Sequence, residues 1–268
     1  MGRVVLNDPQ LGSSPATANA QAETLVARML GAVGAATDQA GRVDYRGLRG
    51  ADEFTAALES ARGLAGVRLD TLTSHGARLA FWINVYNALV LHAIVGLGVR
   101  RSVARAWNFF GRVAYRIDGA VFSPDDVEHG VLRGNRRRVL PPLRPFGTRD
   151  PRRRLALSPL DPRIHFAINC GARSCPPIGV YRAAAIEAQL DLATRTFVNS
   201  EVSLEDGRIV CSRLFKWYRG DFDVAGGLTA FLLRYLDDGP TRRALANGAA
   251  PAVAFRSWDW SLHHPAVE

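Results

Sequence analysis

The longest apolar run in the chain covers residues 79–95 and is interrupted only by Asn84, Asn87 and His92. With its flanks it predicts a helix over about 74–96, stopped by Gly96 and Gly98. A helix that is apolar nearly all round has no face to give to water, so the rest of the chain must enclose it. It falls short of the clean span of about 18–20 apolar residues that a bilayer crossing needs, which predicts a core helix and no membrane.

The enclosing elements are legible from periodicity and turn residues. Helices are expected over 22–33 and 52–61, joined by a turn-like segment at 41–47. Asp118-Gly119 predicts a tight hairpin across 115–122, and Ser123, Pro124 and Asp126 form an N-cap, first-turn proline and capping box for a helix to about 133. Residues 134–163 carry six prolines among arginines and predict a long irregular loop, a flap. A strand over 164–170, a helix over 183–199, an Asp206-Gly207 hairpin over 201–211, a helix over 228–235 and a strand over 252–258 complete the reading. Residues 1–20 are small and polar and are expected to form a mobile arm, with 21–268 as one domain. The fold class is α+β: a helical N-terminal half around the buried helix, packed on a mainly antiparallel sheet, with a papain- or transglutaminase-like arrangement as the candidate architecture.

Composition removes several function classes. An apolar share of 47% with 22% charged residues is ordinary globular usage. Three cysteines cannot make a disulfide framework and suit a reducing compartment, and the first thirty residues hold no apolar leader segment, so the expected location is cytoplasmic. No P-loop, glycine-rich dinucleotide fingerprint or His-Glu-x-x-His motif is present, and Lys216 is the only lysine. The net charge of +9 is local: residues 99–163 hold 15 basic and 6 acidic side chains, whereas the flanking segments balance. Such an excess attracts anions, so an anionic group on the substrate is expected; no nucleic-acid motif accompanies it.

The densest chemistry lies at 164–177, Ile-His-Phe-Ala-Ile-Asn-Cys-Gly-Ala-Arg-Ser-Cys-Pro-Pro. Strand alternation would put Cys170 on an apolar face. Cys175, before a proline and after Arg173 and Ser174, would sit extended at a loop exit, where a thiol is accessible. A thiol nucleophile needs a base and the base needs an orienting group. The candidates are His165 or His129 for the base and Glu128 or an asparagine for the orienter, with Asn84 and Asn87 lining the site from the buried helix. Arg136, Arg137, Arg138 and Arg173 are the candidate anion-binding side chains.

Five ordered segments carry a resemblance to a known family: Ala80-Phe-Trp-Ile-Asn-Val-Tyr-Asn-Ala-Leu89, Asp126-Val-Glu-His-Gly-Val-Leu-Arg133, residues 161–177, Phe215-Lys-Trp-Tyr218 with Asp221-Phe222, and Trp258-Asp-Trp-Ser-Leu262. Together they resemble the family called domain of unknown function 547. The resemblance implies no settled activity. It implies that position 175 takes serine in some members, which leaves Cys170 as the alternative working thiol, and that the usual final asparagine is replaced here by His263.

The leading expectation is a cysteine-dependent acyl-transfer enzyme without a cofactor, acting on a small-molecule or peptide substrate. Its nucleophile is Cys175, with Cys170 as alternative. The other readings are a metal site built from the His and Cys side chains, and a non-catalytic binding module with a basic surface.

Overall fold

The computed structural model describes residues 2–7, 17–39, 43–139, 141–247 and 253–262. The apolar run forms a 22-residue helix, α4 (His75–Gly96), following β1 (Val4–Val5), α1 (Ala18–Ala35), α2 (Tyr45–Leu48) and α3 (Asp52–Gly63). Ser74 caps it, its hydroxyl accepting the Ala77 N–H at 3.0 Å. From Ala77 to Val95 every side chain but Arg78 is buried. Helix α1 covers one flank with Ala18, Ala22, Leu25, Met29 and Ala32, a spacing of three and four that makes a single apolar stripe. His92, lodged in α4, bonds the Tyr115 hydroxyl through Nδ1 at 3.0 Å, and burial pushes its pKa down to about 4.

After α5 (Phe109–Arg112) come β2 (Val113–Ile117) and β3 (Ala120–Phe122), paired antiparallel across Asp118-Gly119, whose positive φ values of 47° and 73° suit a tight hairpin turn. β1 adds to β2 in parallel. Val4 and Val5 are therefore part of a sheet, and Asn7 is fully buried with its amide on Ala61 and Arg116 backbone groups; this corrects the expectation of an arm for these residues. Residues 1 and 8–16 of that expected arm, and also His263, lie outside the described residues.

The capping box forms as expected: Ser123 N–H donates to Asp126 and Asp126 N–H to the Ser123 hydroxyl. The turn that follows, Asp126–Leu132, is a π-helix, closed by Arg133 N–H to Glu128 O at 2.8 Å and followed by Asn135 N–H to Gly130 O at 3.0 Å. π-Turns concentrate at functional sites.

The segments 164–170 and 134–163 also differ from expectation. Residues 164–170 are not a strand. Asp161 caps a 3₁₀ turn, Pro162–Phe166, by accepting the Arg163 N–H at 2.9 Å. Asp-Pro is a turn-starting pair, and the alternation of apolar residues had no sheet face to report because His165 and Ala167 are as buried as Ile164 and Phe166. Nor is 134–163 an open flap. Phe146, Leu157 and Leu160 are buried, Phe146 lying against Gly130, and the Asn135 amide exchanges two hydrogen bonds with the Phe146 backbone.

The C-terminal part runs α6 (Ile186–Glu201), β4 (Ser203–Glu205), β5 (Arg208–Cys211), α7 (Leu214–Trp217), α8 (Leu228–Tyr235), α9 (Pro240–Ala246) and β6 (Val253–Phe255). β4 and β5 pair antiparallel and β6 joins β5 in parallel. The protein is mixed α and β as expected, but its two three-stranded sheets each combine one antiparallel and one parallel pairing. The expected mainly antiparallel sheet is thus replaced by two small mixed ones, because β1 and β6 arrive from remote parts of the chain. One apolar cluster surrounds α4; a second, rich in phenylalanine, joins α6, α7 and α8 around Phe166.

Candidate active site

A cavity of about 300 Å³ opens between these clusters. Its wall takes Tyr86 from α4, Asp125, Glu128 and His129 from the π-turn region, His165, Cys170 and Cys175 from 164–176, Tyr218 after α7, and Trp217, Trp258 and Trp260. Five expected site residues, Glu128, His129, His165, Cys170 and Cys175, thus converge, although 47 residues separate the first from the last.

Glu128 is buried, and each of its oxygens accepts a phenol: Tyr218 at 2.6 Å and Tyr86 at 3.2 Å. Burial opposes its ionisation, but neighbouring His129, the Tyr218 hydrogen bond and the Arg133 charge prevail and hold its pKa below the usual carboxylate value. The same burial pushes Tyr86 and Tyr218 well above the ordinary phenol range, so both stay protonated donors. His129 lies 3.5 Å from Glu128 and 3.9 Å from Asp125, with Arg133 at 2.9 Å from its Nδ1. Burial lowers its pKa in spite of the carboxylates.

His165 is set differently. Its Nε2 meets Asp221 Oδ2 at 2.9 Å, and its ring stacks on Tyr218 with centroids 4.0 Å apart. Its Nδ1 is buried without a partner. Asp221, 2% exposed, also receives a two-pronged fork from Arg133 at 2.5 and 3.0 Å, and Arg136 at 3.0 Å. Burial opposes its charge too, yet the hydrogen bonds from His165 and Arg133 hold Asp221 far below the usual carboxylate range.

The thiol loop is built by amides. Asn87 accepts the Asn169 N–H at 2.9 Å and donates to Ala167 O at 2.9 Å. Asn169 in turn accepts Gly171 N–H and donates to Pro176 O, both at 2.7 Å, clamping the two ends of 169–176. The Cys170 N–H donates to Cys175 Sγ at 3.1 Å. Among the described residues no hydrogen bond joins either thiol to an imidazole, and no group of three or more His, Cys, Asp or Glu side chains is placed to hold a metal ion.

Several expected contact residues serve elsewhere. Asn84 is wholly buried and exchanges both amide hydrogen bonds with the Tyr181 backbone, at 2.7 and 3.0 Å, so it and Asn87 tie α4 to neighbouring loops, and neither lines the cavity. Arg136 is committed to Asp221 and Arg138 to Asp125, while Arg137 and Arg173 are exposed and do not line the cavity. Sequence reasoning missed Asp221, Arg133, Tyr86, Tyr218 and the three tryptophans, all of which stood in the five motif segments. The tryptophans form one cluster, with centroids 5.3–6.1 Å apart.

No curated protein and no solved structure matches the chain. A family model does, over residues 69–198, a stretch that runs from just before α4 into α6 and contains the π-turn and the thiol loop; Tyr218, Asp221 and the tryptophans lie beyond it. The family is described as Protein of unknown function, DUF547, and residues 69–198 are a domain of that family.

Proposed function

We propose that this protein is a thiol-dependent acyl-transfer enzyme, a hydrolase, amidase or transpeptidase by class, with Cys175 as nucleophile, His165 as general base and Asp221 as the group that orients the base. One observation carries the reading: His165 keeps one ring nitrogen on a buried carboxylate and leaves the other buried and unpartnered, in a cavity wall that also holds Cys175. A carboxylate partner at Nε2 selects the tautomer with hydrogen there, leaving Nδ1 as the free acceptor. That is the base-and-orienter half of a nucleophilic triad.

In the proposed cycle Nδ1 takes the Cys175 proton and the sulfur attacks the carbonyl carbon of a small-molecule or peptide acyl donor. Asp221 stabilises the imidazolium, which returns its proton to the leaving amine or alkoxide. Water or a second nucleophile then releases the acyl group from sulfur. The tryptophan cluster offers an apolar wall for the acyl portion. Papain- and transglutaminase-like enzymes assemble comparable groups, and the proposal includes that kinship of architecture.

The test is a burst assay with p-nitrophenyl acetate and a thioester analogue. One equivalent of leaving group per protein is expected, lost in Cys175→Ala, retained in Cys211→Ala, and slowed about 10²–10⁴-fold in His165→Ala. A burst unchanged in Cys175→Ala, or none from the parent with either compound, overturns the proposal.

A further inference from the structure

The second thiol in the cavity has no role in that cycle. Cys170 and Cys175 are both half-buried wall residues of one cavity, and their contact is constructed. Gly171 follows Cys170 with φ of 85°, a conformation in which a side chain is strained, and a Cβ there would lie 2.6 Å from the Ile94 side chain. The Cys175 N–H closes back on Ala172 O at 3.0 Å, the Arg173 N–H on Ser261 O at 2.8 Å, and the Ser174 hydroxyl accepts the Asp259 N–H at 2.9 Å. With the Asn169 clamp at both ends, the loop holds the Cys175 sulfur against the Cys170 backbone, with both cysteines in one cavity wall. Cys175 Sγ accepts the Cys170 backbone N–H at 3.1 Å. The neighbouring Cys175 side chain, with burial, keeps the Cys170 thiol well above its ordinary range. The third cysteine, buried in β5, does not line the cavity.

We propose that Cys170 and Cys175 are a dithiol–disulfide couple that exchanges with low-molecular-weight disulfides entering the cavity. The Cys175 thiolate attacks one sulfur of the incoming disulfide and expels the other as a thiolate, leaving a mixed disulfide on Cys175. Cys170 then gives up its proton and attacks the Cys175 sulfur, expelling the second thiolate. The protein loses two electrons and two protons to form an internal disulfide, and the incoming disulfide is reduced to two thiols. Cys175 is the entry thiol, because its sulfur accepts the Cys170 backbone N–H, a hydrogen bond that favours the thiolate, and Cys170 is the resolving one. The couple does not depend on the acyl-transfer reading, since exchange needs only the two sulfurs; where both hold, the disulfide state withdraws the nucleophile.

The experiment equilibrates the reduced full-length protein with glutathione and its disulfide at graded ratios, quenches with an alkylating agent, and reads the mass of the 170–175 peptide. The parent is expected to pass to a form two hydrogens lighter that resists alkylation at both positions, with only traces of glutathione adduct. Cys170→Ser is expected to accumulate the adduct on Cys175 at least tenfold above the parent. A parent that shows no internal disulfide at any ratio, or that holds a stable adduct on Cys175, overturns the proposal whether or not the variant folds. Because the readout is covalent state and not ester turnover, its failure is separate from failure of the burst assay.

Discussion

Replacing Asp221 by asparagine removes the charge on which three elements close. The carboxylate is 2% exposed and the Arg133 residue beneath it 6% exposed, so neither charge can turn to water. An asparagine keeps one acceptor oxygen and points an N–H₂ group at guanidinium or imidazole donors that the second carboxylate oxygen now satisfies. Breaking a buried pair from one side costs about 3–5 kcal/mol, a large part of the 5–15 kcal/mol typical of a whole domain. At roughly 2–4 °C per kcal/mol this is a fall in Tm of about 6–20 °C. The assay is urea unfolding followed by tryptophan fluorescence, for the parent, Asp221→Asn, Arg133→Met and the double variant. The double variant is expected to regain at least about 1 kcal/mol over Asp221→Asn, because it no longer strands a buried cation. The pH dependence has a definite sign. Folding depresses the Asp221 pKa, so its contribution is complete above the unfolded value of about 4 and is lost as pH falls toward the folded one. The gap between parent and Asp221→Asn should therefore be full from pH 5 upward and shrink below about pH 4. A loss under about 1 kcal/mol at pH 7, or strictly additive effects of the two substitutions, would refute the account of Asp221 as the buried keystone of the site.

Three further outcomes follow from the geometry. An alkylating agent at neutral pH should modify Cys175 first, because contact with Cys175 and burial raise Cys170, and burial pushes Cys211 up to about 12; peptide mapping that finds Cys211 or Cys170 modified first contradicts this. Gly171→Ala should cost about 1–3 kcal/mol in urea unfolding, from positive φ and the crowding of Ile94; a neutral result would mean the thiol loop is not held as described. Asn84→Ala strands the N–H and C=O of buried Tyr181 and should cost about 2–5 kcal/mol while leaving the Cys175 alkylation rate within about twofold; a large rate change would return Asn84 to the site.

What the sequence disclosed about the fold was local. An apolar run with only three interruptions has few options, and α4 is where the pattern put it. Asp-Gly at 118–119 and 206–207 specifies positive φ within two residues, and both hairpins form. The misread segments are those whose state is decided from afar. Nothing between 164 and 170 distinguishes a half-buried strand from a turn enclosed on all sides, because enclosure by Tyr218, Phe222 and Phe231 comes from more than fifty residues downstream. The same holds for β1, whose partner strand lies over a hundred residues away.

The charge pattern misled for a related reason. Counting acids within 99–163 leaves the arginines in excess, yet several of them pair with acids elsewhere in the chain: Arg133 and Arg136 with Asp221, Arg163 with Glu187 and Asp191. Others are spent inside the segment, Arg138 on Asp125 and Arg152 on Asp126 and Asp150. Among the described residues no arginine lines the cavity, whose ionisable wall consists of carboxylates, imidazoles, phenols and thiols. An excess counted along the sequence is therefore not a field inside the pocket. Its strongest effect on the site is indirect: through Asp221 it holds the His165 ring in place. Selection of an anionic substrate by Arg136, Arg137 and Arg138 would require two of those three side chains to abandon buried or half-buried carboxylates, and the cost of uncovering Asp221 argues against it.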